Sequence, residues 1–482
     1  MTIRLQPARQ PAAHDAHPAG LRGPGRILLV SCYELGHQPL NLAFPVAYLQ
    51  RAGFEPVAVD LAVEDLSDEA VTRAGLIAIS VPMHTALRIG TQAAERVRQL
   101  NPHAAICFYG LYAWMNADYL LREHADFVIG GEVEEPLLGL VQALERGAPG
   151  DDVPGVSTRA RRQSPALDRI VFPEPNRTAL PPARKYAHLL RDGAAIPAGY
   201  TETTRGCHHT CLHCPVVPVY RGRFFAIPRA VVLEDIRQQV RQGVGHITFG
   251  DPDFLNGPTH ALRVCRALHA EFPDVTFDMT TRIEHILEHR DLFPEFAALG
   301  CVFVVSAVES VSETVLHEID KGHTKADVVE ALAILEDAGI AMRPSLLPFT
   351  PWTTLDDYLE LLTFIEDHDL IENVDPVHLS IRLLVPPGSA LLDRPETATW
   401  LGPLDEAAYT YRWTNPDPRV DALQEQVARL VEVAEGEGVA PRETFERIKA
   451  LAWGFKGEPA PPARPPHGDR QRPPRLTESW FC

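Results

Sequence analysis

The chain has 482 residues, with 64 acidic against 45 basic side chains and a formal charge of −19. That balance disfavours a nucleic-acid surface. No apolar run reaches the length of a membrane span, and the start lacks the basic-then-apolar layout of a signal peptide. Eight unevenly spread cysteines fit reducing, cytoplasmic chemistry better than a disulfide frame. Two or three domains are expected at this length, and 45% hydrophobic residues can fill their cores.

Residues 1–24 are polar with repeated Pro and Gly and predict a tail outside any core. Short apolar runs at 26–30 (RILLV), 55–59, 76–81 (LIAISV), 105–109 (AICFY) and 127–129 then predict five buried strands, with helices over 40–52 and 86–100. Their alternation predicts a doubly wound α/β domain over 25–150. Its ligand edge would be formed by the loops at 31–42, 82–85, 109–114 and 130–134. In the last of these, the Gly130–Gly131–Glu132 turn offers backbone that a ligand can approach closely. Residues 151–194 are rich in Pro, Ser and Arg, lack periodicity and predict a linker.

Residues 205–215, RGCHHTCLHCP, place Cys207, Cys211 and Cys214 at spacings of four and three. Three thiolates this close can hold three irons of one [4Fe–4S] cluster. No fourth cysteine follows at short range, so one iron would be left open. Zinc is the competing reading, with a fourth ligand from His208, His209 or His213.

Strands are then predicted at 246–250 (HITFG), 275–279, 302–307 (VFVVSA), 340–347 and 376–384. Helices are predicted over 229–243, 258–272, 288–299, 325–338 and 355–368. The repeat predicts a partial (β/α)6 barrel over 195–400. Residues 401–457 predict a small helical cap, with Leu423, Val427, Leu430 and Val433 at helical spacing. Residues 458–475 (EPAPPARPPHGDRQRPPR) predict a stiff extended tether, so that 458–482 form a Pro-rich tail ending on Trp480, Phe481 and Cys482. A thiol on such a tether can bind a soft atom.

The CxxxCxxC loop followed by a β/α repeat resembles the signature of the radical S-adenosylmethionine (SAM) enzymes, over about residues 195–400. The whole chain resembles the subset with a cobalamin-binding-type domain in front, including GHQPLNLA after the first strand. The resemblance implies a [4Fe–4S] cluster on Cys207, Cys211 and Cys214. Its open iron would chelate the amino and carboxylate groups of SAM, and an external one-electron reductant of flavodoxin or ferredoxin type would supply the cluster. It also implies a small-molecule substrate. His213 stands where the family often has an aromatic residue. Cobalamin is the further cofactor such a front domain implies, yet the Asp-x-His-x-x-Gly motif of the His-ligated form is absent and His37 lies outside that pattern.

On this resemblance Asp251 and Asp253, in GDPDF, stand where the family places the group that holds the SAM ammonium. As plain chemistry they also suit an Asp-Pro turn. Ser306 and Glu309 fall where the family contacts the ribose or methionine part; Glu309 equally suits the start of a helix. Arg282 offers bidentate recognition of the SAM carboxylate. Arg343 and Ser345 are two apart on a strand and share one face. Tyr220 lies beyond the cysteine loop, positioned to stack near adenine or cluster. The ending resembles radical SAM proteins with a Cys-Sec-Ala-Glu-Pro or Cys-Cys-Ala-Glu-Pro tail, as though read only to the first Cys. That resemblance implies transfer of a 3-amino-3-carboxypropyl group to a soft acceptor such as trivalent arsenic held by the tail thiol. The front domain implies the alternative, a cobalamin-dependent methyl transfer to a small natural product.

Overall fold

The computed structural model describes residues 20–464 and 473–477. The chain divides into two compact units between Lys185 and Tyr186. In the first, β1 (Ile27–Ser31), β2 (Val57–Asp60), β3 (Leu76–Ser80), β4 (Ala105–Tyr109), β5 (Phe127–Ile129) and β6 (Val156–Ser157) form one sheet in the order β2-β1-β3-β4-β5-β6. β1 to β5 are parallel and β6 is antiparallel. Every residue of β1, β3 and β4 is buried. That is why these strands read as continuous apolar runs and not as alternating ones. The strand order reverses between β1 and β3, the switch point where such sheets bind ligands.

The stretch expected as a linker is folded in its first part. Gln163 donates through Nε2 to the carbonyls of Val153 and Val156, both at 2.8 Å. Arg177 is fully buried and donates to the Gln38 carbonyl at 2.7 Å, pinning the loop after β1 from behind. Side-chain bonds to backbone hold this arm, so no hydrophobic period reveals it.

The second unit begins with a hairpin of β7 (His188–Arg191) and β8 (Ala194–Thr201), followed by a short antiparallel pair, β9 (Thr204–Gly206) and β10 (Phe224–Ala226). β11 (His246–Phe249), β12 (Thr276–Thr281), β13 (Cys301–Glu309) and β14 (Ala341–Leu346) follow, with helices such as Arg229–Arg241, Pro258–Glu271, Lys325–Asp337 and Leu355–Asp367 between or after them. β8, β11, β12, β13 and β14 are parallel neighbours and form the curled wall of the partial barrel. β15 (Leu401–Asp405) and β16 (Thr410–Trp413) form a separate hairpin, and β17 (Arg475–Leu476) is the edge strand of the barrel sheet, beyond β7. β17 is antiparallel to β7, which is antiparallel to β8, so β17 runs in the direction of the barrel strands.

Three expected elements differ. The strand at 376–384 is a 3₁₀ turn, Pro376–Leu379, followed by a single parallel bridge from Phe349 to Arg382; Pro376 has no N–H to give a ladder. The helix at 288–299 is broken, with Ile283–Glu288 and Phe293–Ala298 as separate helices and Pro294 in the first turn of the second. Residues 401–413 form the β15–β16 hairpin ahead of the helices Pro418–Gly436 and Pro441–Lys456. The fold class is otherwise as expected: α/β, with a doubly wound Rossmann-like unit, a partial barrel and C-terminal helices.

Candidate functional site

The cysteine loop leaves the carboxyl end of β8 and is closed at its base by the β9–β10 pair, with Gly206 opposite Phe224. Cys207 and Cys211 are buried, Cys214 is half-buried, and none is in a disulfide. Leu212, between them, packs against Leu347, Leu383, Val385, Leu391 and Trp413. Burial pushes the free Cys207 thiol up to about 11 and Cys214 up to about 12; Cys207 also feels the charge of Cys211, and Cys214 that of both Cys211 and Cys207. Such thiols ionise readily only beside compensating positive charge. Arg282, fixed after β12, supplies it, donating from Nη1 to Cys211 Sγ at 2.9 Å. Its other amino group binds Glu284 and the Lys321 carbonyl.

Two carboxylates flank the loop. Asp251 is buried at the end of β11 and accepts from the backbone N–H of Thr203 (2.9 Å) and Thr204 (2.5 Å) and from their hydroxyls (2.7 and 2.6 Å). It ties the start of the cysteine loop to the sheet. Burial raises its pKa to about 6, against the lowering effect of these bonds. Asp253 accepts from Leu255 N–H and the Thr281 hydroxyl and pairs with His285 Nδ1 at 2.8 Å and His209 Nε2 at 3.5 Å. Burial pushes this carboxyl up, but the bonds from His209 and His285 outweigh it and hold Asp253 well below the usual range. The preceding Gly250 is required by packing, since a Cβ there would lie 1.9 Å from the Tyr200 ring.

Glu309 sits where the β13 register shifts, in left-handed backbone at φ 62°. It pairs with Lys321 Nζ at 3.1 Å and His213 Nε2 at 3.3 Å. Burial opposes ionisation, yet these two neighbours hold Glu309 well below the ordinary carboxylate range. Asn256 clamps the loop start, accepting from His208 N–H (3.4 Å), lying 2.9 Å from His208 Nδ1 and donating to the Gly206 carbonyl (3.4 Å).

The loop thus brings Cys207, Cys211, Cys214, Asp253, Arg282 and Glu309 into one neighbourhood. Ser306 donates to the Thr281 carbonyl at 2.9 Å, on the opposite side of β13 from Val305 and Ala307. Tyr220 is buried behind the loop with its ring 6.5 Å from that of Phe225. Arg343 and Ser345 lie further down the barrel wall, where Arg343 pairs with Asp375 at 2.8 Å. Cys482 lies outside the described residues. Asn256, His285, Lys321 and Asp375 escaped the sequence reading; each reaches the site from a distant segment and carries no motif.

The donor set fits a cluster held by three protein ligands: three thiols on one clamped loop, with an arginine on one of them. Cys265 and Cys301 are buried away from it, inside the helix Pro258–Glu271 and at the start of β13. His208, His209 and His285 also bring ring nitrogens within 4.8 Å of one another, a spacing that a metal ion can bridge.

In the first unit, the carboxyl edge at the switch point carries a concentration of buried polar residues, Ser31, Glu34, His37, Gln38 and Ser80. The Ser31 hydroxyl has no hydrogen-bond partner among the described residues. Polar groups withheld from water at this edge suit a large polar ligand. The glycine turn has a different explanation: Gly131 (φ 78°) bridges to Ala166, whose carbonyl would lie 2.1 Å from an added Cβ. The close approach expected there is made by the protein's own chain.

Residues 201–365 match the Radical SAM superfamily model. The chain is 25% identical over 325 residues to hopanoid C-3 methylase of Methylococcus capsulatus, covering 65% of this chain and 62% of that protein. An uncharacterized methyltransferase of Pyrococcus horikoshii is 23% identical over 353 residues, covering 69% and 74%. Among solved structures, the cobalamin-dependent SAM radical enzyme OxsB with aqua-cobalamin bound aligns with TM-score 0.69 at 16% identity, covering 89% of this chain and 72% of that one. The radical SAM methyltransferase TsrM of Kitasatospora setae, with cobalamin and a [4Fe-4S] cluster bound, aligns with TM-score 0.63 at 15% identity, covering 89% of each. These likenesses extend the shared fold over both units. No helix among the described residues is long and apolar enough to cross a membrane.

Proposed function

We propose that this chain, a radical SAM enzyme by its residues 201–365, cleaves SAM reductively and moves a methyl group to a small-molecule substrate with the help of cobalamin held by the first unit. When bound, the cluster supplies an electron that breaks a sulfonium carbon–sulfur bond, and cobalamin supplies a methyl carrier. The chain's own residues do the rest. Cys207, Cys211 and Cys214 would hold the cluster, and Arg282 would neutralise thiolate charge at Cys211. Asp251 and Asn256 fix the loop, while Glu309 and Asp253 present carboxylates beside it for the ribose and ammonium of SAM. The polar edge after β1 and β3 would take cobalamin without the Asp-x-His-x-x-Gly ligand. An external one-electron donor completes the reaction.

The observation that carries this reading is the clamped three-cysteine loop in a chain whose two-unit fold is shared with cobalamin enzymes. Product analysis tests it. Methyl transfer yields S-adenosylhomocysteine together with 5′-deoxyadenosine from anaerobically reduced enzyme.

A second reading has one observation in its favour. β17 runs toward the carboxyl edge of the barrel, and Cys482 follows Thr477 by five residues in the sequence. Transfer of a 3-amino-3-carboxypropyl group to a soft acceptor such as arsenite held by Cys482 would release 5′-methylthioadenosine instead. It would also be lost on Cys482→Ser.

A further inference from the structure

The barrel sheet of the second unit has two unlike faces. Ile247, Phe249, Phe277, Met279 and Val304 are fully buried on one. The opposite face is polar. Strand register sets Thr248 beside Asp278, Thr280 beside Val305 and Arg343, and Ala307 beside Ser345. Side-chain contacts confirm the shared face: His246 Nε2 and the Thr248 hydroxyl both reach Asp278 Oδ2, at 2.8 and 2.7 Å, and the His246 ring stacks on Phe303. Below, Leu189, Phe303 and Val305 form an apolar plug joined by Ile196, Ala341 and Leu476 of the tail strand.

Level with that plug, three buried polar atoms have no hydrogen-bond partner among the described residues: Asp278 Oδ1, beside Phe303, and Thr280 Oγ1 and Arg343 Nη1, on either side of Val305. Asp278 is 1% exposed and Arg343 7%. Leaving such a group unpaired is costly, most of all for a charged one, so three on one face need a reason. Neighbouring atoms on two of these residues are taken: Asp278 Oδ2 by His246 and Thr248, and Arg343 Nη2 by Asp375. Ala307 and Ser345, in the next layer up, are partly exposed, as are Thr280 and, beside Thr248, Tyr200. A sheet covered on both faces would bury them all.

The face is therefore a cup with an acceptor side on β12 and a donor side on β14. β13 lies between, so the two sides stand about 10 Å apart, and Val305 and Ala307 present an apolar strip across the gap. We propose that this cup binds a small zwitterion, with an ammonium at Asp278 and Thr280, a carboxylate at Arg343 and an aliphatic stretch over Val305 and Ala307. Calling this ligand the substrate rests on the SAM-cleaving function above; its binding does not.

Calorimetry on the anaerobically reconstituted, full-length enzyme tests the proposal with straight-chain ω-amino acids of four to eight carbons, set against the n-alkylamine and n-alkylcarboxylate of equal length. At least one amino acid should bind roughly tenfold more tightly than either singly charged relative. Asp278→Asn should erase its advantage over the carboxylate and Arg343→Gln its advantage over the amine. Thr280→Val serves as a second acceptor-side variant should Asp278→Asn not fold. The proposal is overturned if no amino acid outbinds its relatives, if the advantage survives these substitutions, or if SAM displaces the amino acid one for one. Wild-type SAM cleavage is measured separately. Binding in an enzyme that does not cleave SAM contradicts the function and spares the cup, and cleavage without binding does the reverse.

Discussion

Arg282 Nη1 lies 2.9 Å from Cys211 Sγ, placing a fixed positive charge on one of the three loop thiols. A donor to a ligating sulfur stabilises the more reduced, more negative cluster. Arg282→Leu should therefore lower the reduction potential by on the order of tens of millivolts with iron retained, and Arg282→Lys should recover part of the shift. Anaerobic redox titration followed by EPR reads both.

Asp251 anchors the loop through Thr203 and Thr204. Removing all four acceptor contacts with Asp251→Ala leaves buried donors unpaired. It should destabilise the second unit by roughly 2–4 kcal/mol and lower iron occupancy. Chemical denaturation and metal analysis check this.

The same residue predicts a pH effect. Its folded pKa, raised to about 6 from 3.8, exceeds the unfolded value. Its stabilising contribution is thus full below pH 3.8 and is lost as pH rises through 6. Thermal melts from pH 4 to 7 should show wild type losing stability relative to Asp251→Asn as pH rises. Parallel curves would contradict the assignment.

Leu476 joins the apolar plug from the tail strand, which pairs with β7. Leu476→Asp places a charge against Leu189 and Phe303 and should cost about 1–3 kcal/mol. Faster proteolysis C-terminal to residue 456 is the direct readout.

Much of this architecture is legible in the chain because local patterns coincide with buried parallel strands: RILLV, LIAIS and AICFY each lie within or near a strand in which every residue is buried. The cysteine loop is legible because its chemistry is contained in eight consecutive residues. What could not be read is what distant segments bring. Asn256 clamps His208, Lys321 pairs with Glu309 and Asp375 pairs with Arg343, and no spacing rule links those pairs. The glycine turn at Gly131 misled because a glycine required by Ala166 looks in sequence like one required by a ligand. The strand expected at 376–384 failed for a local reason that was visible, Pro376 at its start.

The most direct test is anaerobic iron, zinc and sulfide analysis of the wild-type protein combined with EPR of the reduced form with and without SAM. Four irons and four sulfides are expected at the cysteine loop, with loss of cluster in Cys207→Ala, Cys211→Ala and Cys214→Ala and an EPR signal that changes when SAM is added. Zinc at these thiolates or at His208, His209 and His285, or a cluster signal indifferent to SAM, would contradict this.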